Sequence, residues 1–306
     1  MYLDYYGKKW FKGNLHTHTS RLGGYYPPEE VINRYRYEKY DFLAITDHEY
    51  ASETVEYEDF LLLSGCEYGL LNQMENHGKT YKFVTDINGI GFIAPPELPQ
   101  EQIRTHQAVI DAIHAKDGLA IFCHPILYHN TPEHVWLANG YDGIEIFNST
   151  SDFKFHNQGY SGDFVDMLAR EGLYIPVLAV DDTHYFFGEE FNGFVMVQAE
   201  NLNRDSIIKS MRERKFFASQ GPWVYTRFED DTLIVECTPA TQIRVLTNLL
   251  CYSGKEGDRL TSARFILNDK AYYDKVYYYR VEVTDKNGKS AWTHPIPVAI
   301  EDDSKK

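Results

Sequence analysis

Short runs of consecutive apolar residues, each bounded by polar or turn-forming residues, recur through the first two-thirds of the chain. Trp10–Leu15, Phe42–Thr46, Phe60–Cys66, Tyr81–Thr85, Leu119–Cys123, Gly143–Phe147, Ile175–Val180 and Gly193–Val197 have this form. Several are nearly continuous in Val, Ile, Leu, Phe and Ala, the texture of parallel strands buried on both faces. Helical patterns lie between them. Pro28–Arg36 opens on Pro-Pro and then Glu-Glu, a helix-start signature. Glu101–Lys116 places Ile103, Val109, Ile110 and Ile113 on a common side, and Gly118 follows as a stop. Asp163–Glu171 and Arg204–Arg214 have a similar pattern. Alternating strands and helices predict βα units, closed as a barrel or wound as an open sheet.

The pattern changes after Gly221-Pro222. Thr232–Cys237, Ile243–Leu249, Ala263–Leu267 and Val276–Thr284 read as strands, and helical spacing is nearly absent. Asp285-Lys286-Asn287-Gly288 contains Asn-Gly, a strong hairpin signal. The chain therefore divides into an α/β part, residues 1–221, and a β-sandwich-like part, residues 222–306. The tyrosines of Tyr272–Tyr279 read as alternating core and surface positions of that second part. Residues 301–306 are polar and read as a frayed end.

Composition narrows the function. The chain has 306 residues, 43% of them hydrophobic, enough for a sizeable core. Its formal net charge of −15 argues against nucleic-acid partners and anionic membrane surfaces. A small anionic substrate stays open, because bound cations reverse the local field. The cysteines Cys66, Cys123, Cys237 and Cys251 form no CxxC pair and read as free thiols in a reducing compartment. MYLDYYGKKWFKG lacks the apolar region of a signal peptide. No apolar run nears the about 18 residues of a membrane span. The expected location is the cytoplasm.

The candidate chemistry sits at the ends of the apolar runs. His16, His18, His48, His124 and His184 all stand there, beside Asp47, Glu67, Asp181 and Asp182. In barrels the strand C-terminal ends converge on one face, which holds the site. Residues two apart on a strand share a face, so His16 with His18, and Asp182 with His184, can point together. Imidazole and carboxylate suit divalent transition metals. A lone HxH is a weak signal, but the ordered set is strong.

With these motifs the chain resembles the PHP family (polymerase and histidinol phosphatase) over roughly Phe11 to Pro222. The resemblance rests on LHTHT (Leu15–Thr19), AITDHE (Ala44–Glu49), GCE (Gly65–Glu67), VIDAIHAKDGLAIFCHP (Val109–Pro125), DGIEIFN (Asp142–Asn148) and DDTH (Asp181–His184). It implies a distorted seven-stranded (β/α) barrel with two or three divalent metal ions (zinc, manganese or iron) at the strand ends. It implies phosphoester hydrolysis by a metal-activated hydroxide. On that resemblance His16, His18 and Asp182 hold a first metal, Glu67 bridges to a second, and His124 holds the second with His77. His48 and His184 hold a third. Asp181 is the rival to Asp182, and the family's DxH spacing favours Asp182. Glu67, His48, His184 and Arg21 are then the catalytic candidates.

One stretch departs from the family. An acid or histidine normally follows the HxH segment as a ligand to the third metal. Ser20-Arg21-Leu22-Gly23-Gly24 contains neither. Arg21 there is suited to contact a substrate phosphate, since guanidinium binds oxyanions in a bidentate manner; the plainer reading is a solvated loop charge. His106, His114, His134 and His294 read as structural, and Glu145 as support for a ligand. The resulting expectation is a metal-dependent hydrolase acting on a small phosphate ester. The alternatives are a metallohydrolase of a non-phosphate bond, amidohydrolase-like, and a non-catalytic metal-binding module. The β-part offers a surface for self-association.

Overall fold

The computed structural model describes residues 1–4, 6–98, 104–154, 156–230, 232–249, 253–267 and 276–298. The first turn of the expected helix Glu101–Lys116, Cys251, part of the Tyr272–Tyr279 run and residues 301–306 lie outside the described residues.

The elements follow the apolar runs. In order they are β1 (Tyr2–Leu3), β2 (Lys9–Asn14), α1 (Pro28–Tyr37), β3 (Phe42–Ala44), β4 (Val55–Glu56), β5 (Leu61–Leu63), β6 (Gly65–Asn76) and β7 (Lys79–Ile90). Next come α2 (His106–Ala115), β8 (Leu119–Phe122), α3 (Pro132–Val135), β9 (Gly143–Asn148), α4 (Ser149–Asp152) and α5 (Gly162–Arg170). Then follow β10 (Val177–Val180), β11 (Phe194–Gln198), α6 (Arg204–Arg212) and β12 (Phe216–Ser219). The remainder is strand: β13 (Val224–Glu229), β14 (Thr232–Thr247), β15 (Ser253–Ile266), β16 (Tyr278–Thr284), β17 (Ser290–Trp292) and β18 (Ile296–Pro297).

The helix signals work as their chemistry requires. α1 carries Pro28 in its first turn, Glu29 and Glu30 at its positive end, and Arg34 and Arg36 at its negative end. It buries Val31, Ile32 and Tyr35 against the sheet. The Thr105 side chain caps α2 by accepting from the Ala108 N–H.

Strand pairing gives two sheets rather than one closed seven-stranded barrel. Among the described residues a mixed thirteen-stranded sheet runs β13-β14-β16-β17-β12-β11-β2-β3-β5-β4, with β1 on β2, β15 on β14 and β18 on β16, and a five-stranded sheet runs β10-β9-β8-β7-β6. β2, β3 and β5 are parallel to one another, as are β8, β9 and β10. Two features break the regular βα alternation. β6 and β7 form an antiparallel hairpin of 12 residues each, and β11 enters antiparallel to β2. Beyond the ladders, isolated bridges at Thr17–Thr183 and His48–Glu67 join the two sheets. Both lie where the candidate ligands cluster.

The C-terminal strands do not form a separate sandwich. β17 pairs with β12 (Ala218 opposite Trp292, Ser219 opposite Ala291) as well as with β16, so they extend the larger sheet. One apolar core runs through both parts, from Trp10 and Phe217 to Val235, Val281 and Val283. Polar contacts reinforce the joint. Buried Arg280 donates to Asp166 of α5 at 2.7 and 2.6 Å, and the Val177 N–H of β10 donates to His294 Nδ1 at 3.0 Å. Among the described residues, no helix is long and apolar enough to cross a membrane.

Candidate metal centre

The site forms where the segments following β2, β3 and β10 are stitched together by backbone hydrogen bonds. The His18 N–H donates to Thr183 O, Asp182 N–H to His16 O, and Thr46 N–H to Thr17 O, all at 2.9 Å. Leu15 beneath them belongs to the apolar interior with Ala44, Leu63 and Val180. The histidines therefore start at the level where that interior ends. From the second sheet, β6 contributes Glu67, β7 contributes Asp86, and the chain just past β8 contributes His124. His124 (φ 22°) and Asp182 (φ 55°) adopt left-handed backbone conformations that non-glycine residues rarely take. Hydrogen bonds oppose that strain: the His124 N–H donates to Glu145 Oε2 at 2.8 Å. Strain of this kind concentrates at functional sites.

The resulting cluster is tight and dry. His16 Nε2 lies 3.3 Å from Glu67 Oε1 and 3.2 Å from Asp182 Oδ1. His18 Nε2 lies 3.3 Å from Glu67 Oε2 and 3.1 Å from Asp182 Oδ1. His124 Nε2 is 3.1 Å from Glu67 Oε1, and His48 Nδ1 is 3.0 Å from Glu67 Oε2. His16, His18, Glu67, His124 and Asp182 are all buried. The side chains of His48 and His184 are 45% and 20% exposed, so these two open to solvent. His184 Nδ1 is held at 2.7 Å by the Asp182 carbonyl.

Around the cluster stands a layer that orients it. His16 Nδ1 lies 2.6 Å from Glu145 Oε1, which turns Nε2 toward Glu67 and Asp182. Asn148 Nδ2 donates to Glu145 Oε2 at 2.8 Å and to Asp182 Oδ2 at 3.1 Å. Asp47 accepts from the Thr19 N–H and hydroxyl at 2.5 and 2.6 Å, bracing the segment after His18. Asp181 points elsewhere. It accepts from the Tyr35 hydroxyl and from the Phe191, Asn192 and Gly193 N–H groups, so its carboxylate anchors that loop.

The electrostatics favour cations. Burial alone would lower the pKa of His18 and His124. The carboxylates more than offset it: Asp182 and Glu67 raise His18 to about 9, and Glu67 above all raises His124 to about 9. Burial would likewise raise Glu67, yet the surrounding histidines hold it well below the usual carboxylate range. Asp86, pushed up to about 6 by burial and then by the Glu67 charge, lies 3.6 Å from His124 Nε2. Even so, His16 Nε2, His18 Nδ1, Glu67 Oε2 and His124 Nδ1 are buried and, among the described residues, take part in no contact with hydrogen-bond geometry, the close ion-pair approaches of His16 Nε2 and Glu67 Oε2 included. Buried polar atoms of a purely structural network are normally satisfied. An imidazole–carboxylate donor set with unspent ligand atoms fits divalent metal ions. Among the described residues five sets of ligand atoms are close enough to share an ion: His16–His18–Glu67, His16–His124–Asp182, His18–His48–His184, and two that include Cys123, with His16 and Glu145 or with Glu67 and His124.

Two sequence expectations change at this point. His77 sits in the exposed turn of the β6–β7 hairpin, with Gly78. Counting along β6 from Glu67 puts it roughly 30 Å from the cluster. Asp86 occupies the place expected for His77. Its register opposite Gly69 sets it on the same face of the hairpin as Glu67 and Asn88. The altered loop also has a physical explanation. At Gly23 (φ 114°) a Cβ would lie 3.0 Å from His18 Nδ1 and 3.1 Å from His48 Cδ2; at Gly24 it would lie 2.6 Å from the His18 carbonyl. The Gly23-Gly24 loop lays its own backbone over the histidines. Arg21 is exposed at its edge, 5.4 Å from the Tyr50 ring.

Other histidines are occupied elsewhere. His106 meets the Thr85 hydroxyl at 2.6 Å, His114 meets Asp142 at 2.8 Å, and His134 stacks on Phe83 with ring centroids 3.7 Å apart.

No family model matches the sequence, and no curated protein matches it. Solved structures do. A two-domain protein from Bacteroides vulgatus, containing a predicted PHP-like metal-dependent phosphoesterase, aligns over 96% of both chains with a TM-score of 0.50 and 12% identity. An amidohydrolase from Chromobacterium violaceum, solved with sulfate and without metal, covers 58% of this chain and 89% of its own at a TM-score of 0.39 and 15% identity. The first of these likenesses extends through the C-terminal strands, so the two-part arrangement is shared.

Proposed function

We propose that the chain is a PHP-type, metal-dependent phosphoesterase acting on a small phosphorylated substrate. The observation that carries this reading is the buried group of His16, His18, Glu67, His124 and Asp182, whose ligand atoms converge with some left unpartnered. On this reading His16, His18 and Asp182 would hold one divalent ion and His124 with Asp86 a second, with Glu67 available to both. His48 and His184, with His18, would offer a third position beside the Gly23-Gly24 loop. Bound ions would supply Lewis acidity, ionising a water near neutral pH and offsetting charge on phosphate oxygens.

The remaining work falls to the chain's own groups. Glu145, accepting from His16 Nδ1, fixes the tautomer that leaves Nε2 free as a ligand. Asn148, spanning Glu145 and Asp182, keeps both carboxylates in register. Where that third position is empty, His48 or His184, the members open to solvent, would be suited to pass a proton to the departing oxygen. Arg21 is suited to meet the anionic end of the substrate.

The test is metal analysis beside a phosphatase screen, with a His16→Ala, His18→Ala double variant as control. The expected result is about two or more bound ions in the wild type, loss of metal in the variant, and turnover of at least one phosphate ester. Equal metal content in the two proteins would refute the ligand assignment. Metal-loaded protein inert on every phosphate ester would move the reaction to another bond, such as an amide or cyclic ester.

A further inference from the structure

The loop that follows His184 presents two aromatic side chains to solvent in a fixed conformation. Tyr185 is 53% exposed and Phe187 64%, whereas Phe186 between them is buried. Phe186 packs against Tyr26, Tyr35 and Phe191. Adjacent large aromatic side chains left in water beside a site point to a surface built for contact. The loop is also firmly held. Buried Glu189 accepts backbone N–H groups from His184, Tyr185 and Phe186 at 3.3, 2.6 and 2.7 Å through Oε1, and from Phe187 at 2.8 Å through Oε2. Phe186 is kept at φ 57°, a conformation costly for an aromatic residue.

The exposed rings lie next to the candidate centre. The Tyr185 ring centroid is 5.9 Å from that of His184, the more enclosed of the two solvent-open histidines. Tyr185 and Phe187 are nearly parallel, 17° apart with centroids 5.9 Å apart. On the far side Lys154 Nζ stands 6.0 Å from the Phe187 ring. A rigid aromatic face thus continues outward from the site, ending at a cation that suits an anionic ligand.

We propose that Tyr185 and Phe187 form a stacking platform for a flat aromatic ring on the substrate. The substrate class is then a small phosphate ester whose alcohol portion carries an aromatic ring. The phosphate end of this assignment rests on the phosphoesterase reading above; the ring end rests on the platform alone. Because Glu189 fixes the loop beforehand, stacking costs little ordering entropy. Ring-on-ring geometry also favours an aromatic over an aliphatic ring of similar area.

The test is calorimetric binding of two phosphonates to the metal-loaded protein, benzylphosphonate and cyclohexylmethylphosphonate. They share the anionic end and the carbon count and differ in ring planarity. The benzyl compound should bind about five- to tenfold tighter. That ratio should fall to near one in a Tyr185→Ala, Phe187→Ala double variant and persist in Tyr185→Trp. Both alanines replace exposed side chains, so the fold is not at stake. Equal binding of the two phosphonates, a ratio unmoved by the double variant, or no binding of either would overturn the platform. If the ratio behaves as expected but benzyl phosphate is not hydrolysed, the platform stands and the phosphoesterase reading falls.

Discussion

His294 makes the joint between the two parts of the chain sensitive to acid. Its ring is fully buried, and its Nδ1 accepts the Val177 N–H, so it must be neutral to serve. Burial first, and then the positive charge of Arg214, push its pKa down to about 3. In the unfolded chain the imidazole titrates near 6.5. Between those values the unfolded state binds more protons than the folded one. Stability is therefore full above about pH 6.5 and is lost as pH falls through the window toward 3. At pH 5 the difference amounts to about 1.5 pKa units, or roughly 2 kcal/mol at 1.36 kcal/mol per unit. The perturbation is His294→Asn, which keeps an acceptor for the Val177 N–H and cannot titrate. Urea unfolding of both proteins at pH 7 and pH 5 supplies the measurement. Other titrating groups are common to both and cancel in the comparison. On going from pH 7 to pH 5 the variant should gain about 2 kcal/mol relative to wild type. Parallel losses in the two proteins would show that His294 does not resist protonation and would refute this account.

Three further predictions follow from the same structure. Glu145→Gln replaces the carboxylate facing His16 Nδ1 at nearly constant volume; metal affinity should fall about 10–100-fold in a chelator competition while the circular dichroism stays unchanged. Gly24→Ala would drive a Cβ into the His18 carbonyl and the Thr19 nitrogen, so it should lower metal content and cost about 1–3 kcal/mol in denaturant unfolding. Arg280→Met leaves Asp166 without its guanidinium, whereas Glu282 keeps Arg244 and the Tyr160 hydroxyl; removal of one partner of a buried pair costs about 3–5 kcal/mol, and the 21% exposure of the Asp166 side chain favours the low end. Adding Asp166→Asn to that variant should recover part of the loss, and strictly additive costs would show the pair to be uncoupled.

The sequence was most informative where chemistry and hydrophobicity change together. Leu15 before His16, Ile45 before Asp47 and His48, and Val180 before Asp182 and His184 each mark a strand's exit from the apolar interior, and the polar residue just beyond is its own signal. Asp86 was illegible for the opposite reason. It lies inside β7, on a hairpin whose strands mix polar and apolar residues, and its meaning depends on the pairing of Gly69 with Asp86. Period-2 alternation does not supply that register, and without it the sequence offers only His77, the histidine in the segment after Glu67. The sheet's extension into the C-terminal strands was hidden for a related reason. The pairing of Ala218 with Trp292 links residues far apart in sequence, and neither segment announces its partner. The DxH spacing favours Asp182 over Asp181 as a ligand, and the N–H groups of Phe191–Gly193 around Asp181 give that carboxylate its separate task.

That long-range pairing has a consequence for how the protein is made. In the larger sheet β2, which leads directly to His16, is separated from β17 by β11 and β12. A chain emerging from the ribosome will have produced every candidate ligand by His184, yet the open edge of β12 must wait for Ala291 and Trp292. Val177, on the strand that leads to Asp182, must wait for His294. Pairings of such sequence separation form late and slowly, and an unpaired edge is exposed to association in the interval. Completion of the sheet that carries the candidate ligands is thus timed by strands synthesised well after them. A chain stopped near Pro222 would carry all the candidate ligands on a sheet with an unguarded edge.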